Sequence, residues 1–197
     1  MAQRRSTLAL FMICLSITSS VDAQSIKKLR VESNHSTIEF SIPISGGITR
    51  VTGKFMEFEI LIDLIDSTLT KSKVQATIKT TSVLTGIAGR DEHLRSVDFF
   101  DAAKYPEITF VSNGIRKTND GFIAAGAFSF HGVTREIELP FRVTGVSGMN
   151  TIGFSCRYTL RRSDYGLGTT WKHTTDDKFL SEEVDILIDF WTKKVKT

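Results

Sequence analysis

The chain has 197 residues, 25 Lys and Arg against 22 Asp and Glu, a formal charge of +3 and two cysteines. So near a balance gives no electrostatic basis for binding nucleic acid, and so few cysteines exclude the dense disulfide framework of a small secreted scaffold. The length suits one domain that buries its own core, with stability drawn from packing and strand pairing.

The first element is a leader. Arg4 and Arg5 precede an apolar stretch from Leu8 to Ile17, and Val21-Asp22-Ala23 follows before Gln24. A basic start, a short apolar run and small residues at the cleavage point are the pattern of a secretory signal peptide, removed after Ala23. About 10 apolar residues are too few to cross a hydrocarbon core that needs about 20. Cys14 follows Ile13, where a lipid-modified cysteine normally follows a small residue, so a soluble product is expected. The chain would then run from 24 to 197 in the periplasm or outside the cell, with Cys156 as its one cysteine.

From His35 onward the dominant signal is alternation, which puts successive side chains on opposite faces of a strand. Ile38, Phe40, Ile42 and Ile44 form the first apolar series; Met56, Phe58, Ile60, Ile62 and Leu64 the second; Val74, Ala76 and Ile78 the third. Residues 88–100 break the period, and Asp91, Glu92, Leu94 and Arg95 suit a short helix ending before Tyr105-Pro106. Alternation resumes at Ile108 and Phe110, then runs through Phe122–Phe130, Arg135–Val143, Ile152–Leu160 and Val184–Phe190. Gly46-Gly47, Asn119-Asp120-Gly121, His131-Gly132 and Ser147-Gly148 supply turn residues between them. Residues 163–180 carry little period and read as a long loop of the kind that often carries function.

The runs make about eight antiparallel strands joined as a meander. One apolar face per strand suits an extended eight-stranded antiparallel β-barrel, lipocalin-like and all-β with one short helix, which leaves no exposed edge. A transmembrane barrel would turn its apolar face to lipid. Charged residues such as Glu57, Glu59, Glu136, Glu138, Asp185 and Asp189 occupy the opposite face, which alternation alone places neither inside nor outside; short turns at both ends and no aromatic girdles favour the soluble form.

Several stretches carry a family likeness. They are His35-Ser36-x-Ile38-x-Phe40, Val51-Thr52-Gly53-Lys54-Phe55, Gly132-Val133-Thr134-Arg135 and Arg162-Ser163-Asp164-Tyr165-Gly166. The most distinctive is Arg90-Asp91-Glu92-His93-Leu94-Arg95-Ser96-Val97-Asp98-Phe99-Phe100, followed by Tyr105-Pro106. Over about residues 30 to 191 the chain resembles the YceI-like polyisoprenoid-binding family. The resemblance implies a periplasmic lipocalin-like barrel that holds an isoprenoid, of quinone or prenyl phosphate type, or a similar long-chain amphiphile. It departs from the family pattern in lacking a second His after the first strand and in having Tyr165 rather than Phe after Asp164.

With that likeness, and with all but one of the fourteen Phe lying after the leader, the apolar parity of the strands reads as the wall of a tunnel. Phe40, Ile42, Phe58, Ile60, Phe110, Phe128, Phe130, Phe154, Tyr158 and Phe190 are its candidate residues. Arg90, Asp91, Arg95, Asp98 and Asp101 form the one polar constellation. It either ties the helix to the barrel by capping and ion pairs or, through Arg90, His93 or Arg95, meets a lipid head group.

His35, His93, His131 and His173 show no metal-ligand spacing, Cys156 sits on an apolar face, and no nucleophile elbow, phosphate loop or dinucleotide fingerprint occurs. No catalytic residue, metal or cofactor is therefore assigned, and the expected ligand is the lipid itself. Three readings stand: a carrier, an enzyme acting on such a lipid, and a structural β domain serving a membrane-associated redox or lipid-handling partner. A homodimer fits an exported barrel of this size.

Overall fold

A computed structural model describes residues 25–65, 67–148, 151–176 and 178–195. The expected leader, with cleavage expected after Ala23, lies outside the described residues. The strands are β1 (Ile26–Val31), β2 (Thr37–Ile44), β3 (Thr49–Phe55), β4 (Phe58–Ile65), β5 (Thr68–Lys79), β6 (Val83–Leu84), β7 (Glu107–Thr118), β8 (Gly121–Phe130), β9 (Val133–Ser147), β10 (Thr151–Arg161) and β11 (Glu183–Lys194). The helix α1 spans Ala88–Arg95. All described strands pair antiparallel in one sheet that closes on itself, with β11 bonded to both β1 and β2.

The registers reduce these strands to an eight-stranded up-and-down barrel. β1 pairs with β4 from Ile26↔Ile65 to Arg30↔Leu61, and β2 pairs with β3 from Glu39↔Lys54 to Ile44↔Thr49. Thus β1 and β2 are halves of one long strand, interrupted by the 3₁₀ turn Ser33–His35, and β3 and β4 are halves of the next. β5 and β6 make the third, interrupted at Thr80–Ser82, and β7 to β11 complete the ring in sequence order. The breaks in the second and third strands are stitched together. Met56 N–H donates to the Ser82 carbonyl at 3.1 Å, Glu57 N–H to the Ser82 hydroxyl at 3.0 Å, and Lys79 N–H to the Glu57 carbonyl at 2.9 Å.

Eight strands and one helix agree with the expected fold class. The sequence reading did not include β1, β3 or the two-residue β6. The segments Ile26–Val31 and Thr49–Phe55 carry too few alternating apolar residues to register.

Local chemistry explains the turns and close approaches. His131 and Gly132 both have positive φ, 50° and 78°, as a two-residue hairpin with the right-handed twist of its strands requires. A Cβ at Gly53 would lie 2.4 Å from the Phe40 ring, so the glycine lets that ring lie flat across the neighbouring strand.

Outward side chains are charged and pair across strands, as in Arg30–Glu59 at 2.6 Å and Arg116–Glu138 at 2.9 Å. Such exposed pairs add little stability. Inward side chains carry the core, where Ile38, Ile60, Phe100, Ile108, Phe130 and Leu160 are all buried.

Candidate functional site

Inward side chains from all eight strands leave a cavity of about 350 Å³, walled almost wholly by carbon. An engineered apolar hole of about 150 Å³ stays dry and admits benzene, so this one has room for a longer apolar ligand.

One end is closed. The lowest wall residues on β9, β10 and β11 are Phe141, Phe154 and Phe190, and beneath them Leu29, Leu64, Val143 and Ile152 pack together without reaching the cavity. Leu29 and Thr192 there are 1% and 0% exposed.

The other end lies under α1 and the long segment between β10 and β11. A run of aromatic rings links the two: His93 to Phe99 at 5.0 Å between centroids, Phe99 to Trp171 at 5.5 Å, and Trp171 to Phe179 at 6.0 Å. His173 stacks on Phe179 at 4.1 Å. Leu167 and Leu180 reach the cavity from the same segment. The segment over 163–180, expected as a long loop, places Leu167, Trp171, Phe179 and Leu180 in the cavity wall.

Arg162 holds both feet of that loop. Its Nη1 donates to the carbonyls of Leu167 and Gly168 at 3.0 and 3.1 Å, on the loop's departing side. On the returning side Nε donates to the Ser181 carbonyl at 2.9 Å, and Nη2 pairs with the Glu182 carboxylate at 2.8 Å. Five donors in a rigid fork make arginine suited to such a clamp.

The helix is anchored mainly by hydrogen bonds rather than by the ion pairs considered from sequence. Asp91, 5% exposed, accepts from the backbone and hydroxyl of Thr85 at 2.7 and 2.5 Å. Arg90 donates through Nε to the Thr85 hydroxyl at 2.8 Å and through Nη2 to its carbonyl at 3.1 Å. His93 bonds Asp98 at 2.9 Å.

Phe40, Ile42, Ile60, Phe110, Phe128, Phe130, Phe154, Tyr158 and Phe190 line the cavity, as do Arg90 and His93. Two candidates do not. Phe58 has the inward parity, but it opens β4 at the break in the second long strand and packs half-buried against the core beside the cavity. Arg95 ends α1 and reaches the Val83 carbonyl at 3.4 Å, away from the wall.

Sequence reasoning missed Arg162, Trp171, Phe179 and Phe141. Period gives no parity in a loop, although the loop's aromatic content was a usable signal; Phe141 stood on the correct parity of β9. The four histidines are dispersed: His35 bonds Glu32, and His131 bonds the Tyr165 carbonyl at 2.9 Å, away from His93 and His173.

Electrostatics agrees with the carbon wall. Burial pushes the Cys156 thiol up from 9.0 to about 12, with Asp189 adding to the effect. Burial also raises the phenols of Tyr158 and Tyr165. Ionised forms are thus disfavoured along the barrel, and the cationic wall groups, Arg90 and Arg162, stand at the helical end.

Known proteins share this architecture. The BcnA protein of Burkholderia cenocepacia has the same fold, with a TM-score of 0.73 at 22% identity over 82% of this chain and 98% of its own. A polyisoprenoid binding domain from Saccharophagus degradans also shares it, with a TM-score of 0.68 at 17% identity over 85% of this chain and 98% of its own. In sequence, protein YceI of Escherichia coli is 30% identical over 189 residues, 94% of this chain and 95% of that protein. With the YceI-like domain pattern matching residues 29–191, a span that runs from β1 into β11 and so takes in every strand of the barrel, the chain belongs to the YceI-like family.

Proposed function

We propose that the protein is an exported binding or carrier protein, not an enzyme, that encloses the apolar tail of an isoprenoid or similar long-chain lipid. The observation that carries this reading is the cavity: about 350 Å³, carbon-walled, closed at one end and bordered at the other by Arg90, His93 and Arg162. A dozen methylenes buried in such a space contribute on the order of 10 kcal/mol before entropy and desolvation are subtracted. The tail therefore supplies affinity, while the cations at the helical end orient an anionic or carbonyl head group. The shared fold with a polyisoprenoid binding domain supports the choice of tail. The protonated thiol of Cys156 supports binding over nucleophilic chemistry. The leader supports export to the periplasm with cleavage after Ala23, which N-terminal sequencing of the exported protein tests.

Solvent extraction and mass spectrometry of the protein purified from its native host test the main reading. A stoichiometric long-chain lipid is expected. A protein that yields none, and that takes up none when lipid is supplied, overturns it.

A further inference from the structure

The closed end of the cavity has a composition of its own. On three consecutive strands the last wall residue is phenylalanine: Phe141 on β9, Phe154 on β10 and Phe190 on β11. Their rings touch in series, Phe141 to Phe154 at 6.0 Å and Phe154 to Phe190 at 5.1 Å between centroids. Phe122 of β8, which does not reach the cavity, stacks behind Phe141 at 5.3 Å with the planes 18° apart, so Phe141 cannot swing away from the axis. Below the rings the barrel is filled, with Leu29 at 1% exposure, so a tail meets a floor rather than a second opening.

We infer that Phe141, Phe154 and Phe190 act as a ruler that sets the longest tail the barrel encloses. The inference rests on the lipid-binding reading and adds the selectivity of that site. From Val184 at the helical end to Phe190 at the floor, β11 advances six residues, roughly 20 Å of strand. Within that span each further methylene leaves water for carbon. Past it, an added methylene must bend back on the tail or protrude at the mouth, and no further apolar contact is gained.

Saturated primary alcohols of increasing length are the probe, with binding to the mature protein measured by calorimetry. Affinity is expected to rise about fourfold per methylene, the equivalent of about 0.8 kcal/mol, and then to stop rising at a defined length. Phe154→Ala removes a ring from the floor and should move that limit up by about three methylenes; Phe154→Leu should move it by about one and carries the test if the alanine variant does not fold. Phe141→Trp thickens the floor and should move the limit down. Folded Phe154→Leu and Phe141→Trp proteins that keep the wild-type limit overturn the ruler alone. A wild-type protein that binds no alcohol of any length overturns the lipid-binding reading beneath it.

Discussion

Replacing Arg162 with Met keeps the apolar stem of the side chain and removes its five donors. Three of the bonds lost run to the carbonyls of Leu167, Gly168 and Ser181, and a fourth to the Glu182 carboxylate. The Arg162 side chain is only 13% exposed and that of Glu182 is 44% exposed, so solvent screens the ion pair and the carbonyl bonds carry the magnitude. Three carbonyl bonds at about 1 kcal/mol each give a loss of about 3 kcal/mol. The loss concentrates in the loop, because both its feet are freed together. Urea unfolding should therefore show a lower midpoint, and limited proteolysis should cut between Gly168 and Ser181 in the variant before the barrel unfolds. Arg162→Lys should recover only part of the loss, since one ammonium cannot span both feet. A variant within about 0.5 kcal/mol of wild type, with no new cleavage in the loop, would refute the clamp.

Phe128→Trp enlarges a wall residue midway along the cavity, and the folded variant should retain less lipid on extraction than wild type; full retention would remove Phe128 from the wall's function. Cys156 should make the protein alkali-sensitive. Its pKa is raised on folding, so its contribution is fully present below pH 9 and is lost as pH climbs toward about 12, where the unfolded thiol ionises and the folded one does not. Cys156→Val should flatten the fall in melting temperature between pH 9 and the highest pH at which unfolding stays reversible. Gly132→Ala places a Cβ 2.7 Å from the Tyr105 ring at a φ of 78°, and a loss of about 2 kcal/mol in chemical denaturation is expected.

Strand parity carried most of the fold into the sequence because each inward face serves a single continuous core. β7 to β11 are each one strand, with register shifts only at Ser112/Gly114 and Gly153/Phe154, and alternation is legible within each, on either side of the loop over 163–180. The first three long strands are interrupted, at Ser33–His35, at Met56–Glu57 and at Thr80–Ser82, and each interruption resets the alternation. β1, with Lys27-Lys28 between its apolar residues, then looks like a solvated tail. Its inward Leu29 is nevertheless among the most buried residues described. Parity also says which face a residue occupies but not its height along the barrel axis, and this is why Phe58 shares the parity of Ile60 without sharing the cavity. Arg162 was visible only as part of a motif. The need for one guanidinium at both ends of a loop emerges only once Leu167 and Ser181 are brought together in space.

The seal between β1 and β11 joins the first and last of the described strands, with Leu29 opposite Lys194. A nascent chain that has not yet produced β11 has unpaired edges on β10 and on both halves of its first strand, and its greasy interior faces water. Such closure, spanning nearly the whole sequence, is the slow step expected of a fold dominated by distant contacts. Folding thus waits for β11. The barrel stays open until Glu183–Lys194 are available to pair. Clipping those residues would cost far more than a frayed end, since it would reopen the cylinder along its length.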